Sequence, residues 1–233
     1  MSGATFLNLA LQIPGMESPD LTVTEWMVSI WEDGGFMMWP LGAALAIGII
    51  IIIWKLIDLS ITSSRTKKVL REVDERLAQR DVPGAIAAAR ESDTPAGRIL
   101  LAGLERHDEG SERVMKAIEN VGLIQMAGLE SGLVWLATIA TVAPLLGFLG
   151  TVIGMIQAFQ NIEAAGEVEA TLVAGGIKVA MITTAAGLTI AIPINIMHNY
   201  FVTKVDRLVI DMEESAQKMI DRLQEIEAGA ATA

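Results

Sequence analysis

The chain has 233 residues, of which 52% are hydrophobic and 19% charged, and it carries a net charge of −11. That is too apolar for an ordinary water-soluble domain, and apolar runs of roughly 20 residues point to membrane spans. The acidic balance argues against a nucleic-acid surface, which needs a basic face, and the absence of cysteine excludes disulfides, thiolate metal sites and a cysteine nucleophile.

No Lys or Arg precedes Lys55, so the basic n-region of a cleavable signal is missing from residues 1–35. Within that segment, residues 21–31 (LTVTEWMVSIW) alternate polar and apolar side chains at helical spacing. Trp26 and Trp31 suit a helix lying in the membrane interface, or a short linker helix packed on a neighbour. Span 1 is expected over residues 36–59. Pro40 sits in its first turn, where a missing N–H costs least. Trp39 and Trp54 bracket its most apolar part as interfacial anchors, and Lys55 and Asp58 mark its exit.

Residues 60–132 read as a helical domain. The stretch 66–79 is charged and rich in helix formers, and Asp81-Val82-Pro83-Gly84 breaks it. At Asp93-Thr94-Pro95 a helix restarts with an Asp or Thr cap. No helix breaker is evident between Ser111 and span 2 (residues 133–159), so that span is expected to extend unbroken from the helical domain. A loop over residues 160–171 carries Glu163, Glu167 and Glu169. Span 3 covers residues 172–201 and continues as a helix through 202–233. There Val205, Leu208, Met212, Ala216, Met219 and Leu223 recur at three to four residues, a stripe that demands a packing partner.

Twelve Lys and Arg fall between Lys55 and Gly132, four follow Phe201, and the 160–171 loop has none. The positive-inside rule then places the N-terminus outside and the C-terminus inside, with most soluble mass in the cytoplasm. The expected fold is all-α: an integral membrane protein with three transmembrane helices, two of them extended into the cytoplasm, plus a helical cytoplasmic domain.

The functional candidates are polar and small residues inside the membrane. In span 2, Ala143, Gly147, Thr151, Gly154 and Ala158 lie on one helical face. In span 3, Ala180, Thr184, Gly187, Ala191 and Asn195 do the same. Such stripes are packing faces, because lipid supplies no hydrophobic drive for association, and their threonines can simply bond their own backbone. The alternative is that Thr138, Thr141, Thr151, Thr183, Thr184, Thr189 and Asn195 line a watered path, since a hydroxyl both donates and accepts. Pro144 and Pro193 free backbone carbonyls in the same zone. No carboxylate occurs in spans 2 and 3 or between Phe36 and Trp54. Lys178 is an intramembrane cation and a functional candidate by default. It either snorkels to the outer interface or faces a pore or an acidic partner. His107 lies in a charged stretch and His198 at a membrane edge; neither suggests a metal site. No set of nucleophile, base and orienting group suggests an enzyme, and no cofactor is implied.

These motifs resemble the MotA/TolQ/ExbB proton-channel family, ExbB most closely. The resemblance rests on GGFMMWP from Gly34, APLLGFLGTVIGMI from Ala143, GIKVAMITTAAGL from Gly176, and AIP from Ala191. It implies a homopentamer in the bacterial inner membrane whose second and third spans line a pore. Two copies of an ExbD-like single-span protein sit in that pore with an ion-carrying Asp. In the ExbB branch, ion flow energises a TonB-like protein; in the TolQ branch it serves envelope maintenance. By position, Thr151 and Thr184 match the family's pore threonines. Val179 stands where typical members have a third-span glutamate, with Lys178 beside it. The resemblance therefore leaves open coupling through hydroxyls, water and the partner's Asp, coupling to sodium, or a scaffold that conducts nothing. Lys178 would pair with an acidic residue of the partner.

Overall fold

A computed structural model of the chain describes residues 23–166 and 170–231. The described elements are all helices, with no strand among the described residues. Helix α1 spans Val23–Asp33. A 3₁₀ turn at Gly35–Met37 leads into α2, Met38–Ala78. Then come α3 (Val82–Glu91), α4 (Pro95–Leu104), α5 (Ser111–Glu130), α6 (Leu133–Ala165) and α7 (Ala170–Ala231). Three of these, α2, α6 and α7, are long and apolar enough to cross a membrane.

The helix that carries span 1 does not end at residue 59. It runs on to Ala78 as one helix of 41 residues. The reason is a second, buried stripe beyond Trp54: Leu59, Thr66, Val69, Val73 and Leu77 are all buried, at the spacing of one helical face. The break comes after it. Arg80 takes a left-handed φ of 61°, and Asp81 caps α3 by accepting from the Gly84 N–H at 2.9 Å. At the next restart Thr94, rather than Asp93, is the cap, accepting from the Gly97 N–H at 3.1 Å. Each cap satisfies a donor that the first turn of a helix leaves orphaned.

The expected continuity of span 2 with the preceding helix is corrected. Helix α5 ends at Glu130, and α6 starts at Leu133. Gly132 between them has φ of 86°, a conformation that residues with a Cβ rarely adopt. A lone glycine is a weak sequence signal, since Gly122 and Gly128 sit inside α5 without breaking it. The extended spans are therefore the first and third. The 160–171 loop is also shorter than expected: α6 reaches Ala165 and α7 begins at Ala170. Glu167 and Glu169 lie outside the described residues, as do the start of the chain and its signal-peptide reading.

The chain divides into two compact units, described residues up to Gly42 with Ala143–Thr189, and Ala43–Val142 with Ile190–Ala233. In the second unit the stripe expected on α7 is buried in full: Val205, Leu208, Met212, Ala216, Met219 and Leu223, together with Phe201 and Ile220. Its neighbours belong to the same chain. Met219 reaches Gly103 of α4, and Gln224 donates to Ser111 Oγ of α5 at 2.9 Å. Burying each large side chain of this kind contributes about 1.5–3 kcal/mol relative to exposure in water.

Candidate functional site

The first unit is held together differently. Large apolar side chains of α6 such as Leu145, Phe148 and Phe159 face outward, and the helices meet through small residues. A Cβ on Gly147 would stand 2.8 Å from the Thr183 carbonyl oxygen, one on Gly154 2.8 Å from that of Gly176, and one on Gly187 2.6 Å from that of Ala143. Real Cβ atoms do not approach backbone so closely, so glycine sets the distance between α6 and α7. The seam is Ala143–Gly147–Gly150–Gly154–Ala158 on α6 and Gly176–Ala180–Thr183–Gly187 on α7, all buried.

This seam shifts the sequence-derived stripes by one residue at each threonine. Gly150 and Thr183, rather than Thr151 and Thr184, occupy the packed row. Gly150 lies against the Thr183 side chain, which is fully buried. Thr151 and Thr184 are half-buried on the flank. Gly150 and Gly176 are the seam members missed from sequence. Either threonine of the Thr183-Thr184 pair fits a spacing of three or four, so periodicity alone cannot choose between them.

The hydroxyl protons are committed inside the chain. Thr183 shares its proton between the carbonyls of Val179 and Ala180, both at 3.0 Å. Thr151 donates to Phe148 O at 2.6 Å. Thr138, Thr141 and Thr189 donate to the carbonyl four residues back. Thr184 alone among these six crosses helices, donating to the Gly147 carbonyl at 3.3 Å. A hydroxyl whose proton is spent on a carbonyl presents its remaining lone pairs, so Thr151 and Thr184 offer acceptors to water or a cation. Pro144 and Pro193 lie inside α6 and α7 and remove the N–H that the carbonyls of Ala140 and Thr189 would otherwise receive.

Ala191 and Asn195 belong to the second unit, where Ala191 is buried and Asn195 exposed. Lys178 meets an acid of its own chain: its Nζ stands 2.6 Å from Oδ2 of Asp33, the last residue of α1. It starts about 12 Å along α7 and ends on the carboxylate that closes α1, an acid of its own chain and not of a partner. Asp33 was not singled out from sequence, being 145 residues away. Trp31 of α1 packs edge-on against Trp39 with ring centroids 5.6 Å apart and over Gly42. The side chain of Trp26 lies outside the described residues.

Among the described residues no group of three His, Asp or Glu side chains could hold a metal. His107 bonds the Leu104 carbonyl at 2.9 Å and Asp108 at 3.0 Å, and His198 faces Asn199 at 3.3 Å.

Residues 91–214 match the MotA/TolQ/ExbB proton channel family. A putative biopolymer transport protein ExbB homolog of Methanothermobacter thermautotrophicus is 30% identical over 197 residues, 83% of this chain and 68% of that protein. Biopolymer transport protein exbB1 of Vibrio cholerae is 30% identical over 174 residues, 72% of this chain and 76% of that protein. A putative ExbB-like protein of Synechocystis is 38% identical over 128 residues, about half of each chain (54% and 50%). With its three apolar helices, its glycine seam and these relatives, the chain is a multi-pass membrane protein that belongs to the MotA/TolQ/ExbB proton channel family and is most like ExbB.

Proposed function

We propose that the chain is the ExbB-like, non-enzymatic subunit of an ion-driven motor in the bacterial inner membrane. In this reading it forms a homopentamer around an ExbD-like single-span protein and energises a TonB-like protein that serves outer-membrane transport. The N-terminus lies outside, and the helical domain of residues 60–132 and the end of α7 lie in the cytoplasm, in keeping with the distribution of Lys and Arg.

The observation that carries the reading is the threonine pair on the flank of the glycine seam. Thr151 and Thr184 are half-buried, and each spends its proton on a backbone carbonyl. What they present is oxygen, which suits a hydrated proton or a sodium ion better than an anion. Thr183 supports the seam itself, and Ala143, Gly147, Gly154, Ala180 and Gly187 let its helices approach; Asn195 and Ala191 lie in the second unit, Asn195 as a further polar candidate and Ala191 as a small packing residue. The span-3 carboxylate is absent, with Val179 in its place, so the titrating acid comes from the ExbD-like partner. Lys178, held by Asp33, is free to pair with that partner only by leaving Asp33.

The lack of any carboxylate in spans 2 and 3 favours one second reading, a membrane scaffold that assembles a partner complex without conducting. A TolQ-like role in envelope maintenance is the same machine with another client. The test is native mass in mild detergent with a co-expressed ExbD-like protein, followed by ion flux in proteoliposomes. A pentamer that takes up two partner copies, with flux reduced about tenfold or more by Thr151→Val or Thr184→Val at unchanged mass, is expected. Assembly with no flux in the parent protein would leave the scaffold.

A further inference from the structure

Both α2 and α7 change from apolar to charged at the same level of the second unit, and a groove opens there. It is lined by Leu56, Ile57, Ser60 and Ile61 of α2 and by Tyr200 and Lys204 of α7, and measures about 490 Å³. That is room for a group of many atoms, against ~30 Å³ for one water.

Three features of this groove point to one kind of ligand. First, Lys204 is half-buried, and no ion pair to it occurs among the described residues. The nearest acid in sequence on α2, Asp58, is already turned to Lys55 at 3.5 Å. Second, Ser60 and Tyr200 add hydroxyls, and Tyr200 is 50% exposed, a residue suited to the boundary between lipid and water. Third, the apolar wall continues out of the groove. Ile50, Ile53, Ile57 and Ile61 are all exposed and repeat at three to four residues along α2, forming a track along the span.

We infer that this groove binds an anionic phospholipid, with its phosphodiester at Lys204, Ser60 and Tyr200 and an acyl chain along the isoleucine track. A soluble phosphate would meet the cation but have no use for the track. A zwitterionic lipid would use the track but bring its own cation to the ammonium. The site is separate from the threonine pair, and its occupancy does not depend on whether the chain conducts ions.

The full-length chain in mild detergent tests this through thermal unfolding and native mass, with phosphatidylglycerol, phosphatidylcholine and inorganic phosphate as probes. Phosphatidylglycerol is expected to raise the unfolding temperature and to remain bound in the gas phase, while phosphatidylcholine and phosphate do neither. Lys204→Met should weaken phosphatidylglycerol binding about fivefold, the contribution of one basic residue near an anionic membrane surface. Lys204→Arg should restore it, and Lys67→Met, at an exposed lysine elsewhere on α2, should change nothing. Equal stabilisation by phosphatidylcholine, full effect from phosphate alone, or an equal loss in Lys67→Met would each overturn the assignment. If Lys204→Met misfolds, Tyr200→Phe and Ser60→Ala carry the same comparison, and unchanged binding in both would count against it.

Discussion

Lys178 and Asp33 stand 2.6 Å apart and join the third span to the end of α1. The two side chains are 58% and 37% exposed, so the pair sits where water competes, and such pairs couple by about 0.2–1 kcal/mol. Its effect falls on α1 more than on global stability, because α1 is otherwise fastened by Trp31 over Gly42. Asp33→Asn and Lys178→Met should each increase protease cleavage within α1, and the double variant should add nothing beyond either single change. Additive effects would mean the two residues act separately.

The glycine seam predicts a sharp contrast between neighbouring positions. Gly187→Ala puts a Cβ 2.6 Å from the Ala143 carbonyl, and backbone cannot give way as a side chain can. A loss of about 1–3 kcal/mol is expected from overpacking. Gly175→Ala meets nothing within 4 Å, so helix propensity alone applies and the change should be neutral or stabilising by up to about 1 kcal/mol. Thermal unfolding in detergent, compared at equal expression, separates the two. Equal effects would remove the seam as the basis of the α6–α7 contact.

Much of this architecture was legible because membrane and helix periodicities leave strong marks. Three long apolar runs, free of acids but for Asp58 at the exit of the first, gave the spans, and the heptad-like apolar spacing after Phe201 gave the continuation of α7. What was not legible involved single residues with several permitted conformations. Gly132 follows the end of α5, yet Gly122 and Gly128 sit inside it, and the positive φ of Gly132 sets it apart. The stripe from Leu59 to Leu77 is diluted by Thr66, which hid the continuity of α2. In the site, the small residues were readable, but Thr183 and Thr184 are adjacent, and which one enters the seam depends on helix phase. Asp33 was unreadable because nothing local ties it to a lysine 145 positions later.

Lys55 gives a prediction of opposite sign to the usual effect of core substitution. Its side chain is fully buried, its Nζ has no hydrogen-bond partner, and Asp58 is 3.5 Å away and 42% exposed. The Trp54 ring, 5.3 Å from Nζ, supplies some compensation. Lys55→Met keeps most of the length of the side chain and removes a desolvated charge, so stability should rise by about 1 kcal/mol. Asp58→Asn leaves the ammonium buried without its counter-charge and should cost about 2 kcal/mol. Unfolding temperatures of the two variants should therefore move in opposite directions. A fall in both would show that the ammonium is better satisfied than its geometry implies.

The distal part of α7 carries a pH-dependent contact with a defined window. Lys218 Nζ lies 2.7 Å from Glu214 Oε1, one turn apart. The hydrogen bond and charge of Lys218 hold the Glu214 carboxyl below its ordinary value of 4.5. The hydrogen bond and charge of Glu214, with a smaller contribution from Asp74, raise Lys218 above 10.5. A depressed carboxylate stabilises the fold above its unfolded value and loses that contribution as pH falls through the folded one. A raised lysine contributes fully below its unfolded value and loses that contribution as pH rises through the folded one. The pair is thus intact at neutral pH and fails at both extremes. Both side chains are more than 60% exposed (62% and 63%), so the effect is small and falls with added salt. Lys218→Met should lower the unfolding temperature slightly at pH 7 in low salt. That difference should vanish below the carboxylate range and shrink in molar salt. A difference that persisted through acid and salt would show that Lys218 acts by packing its alkyl chain and not by its charge.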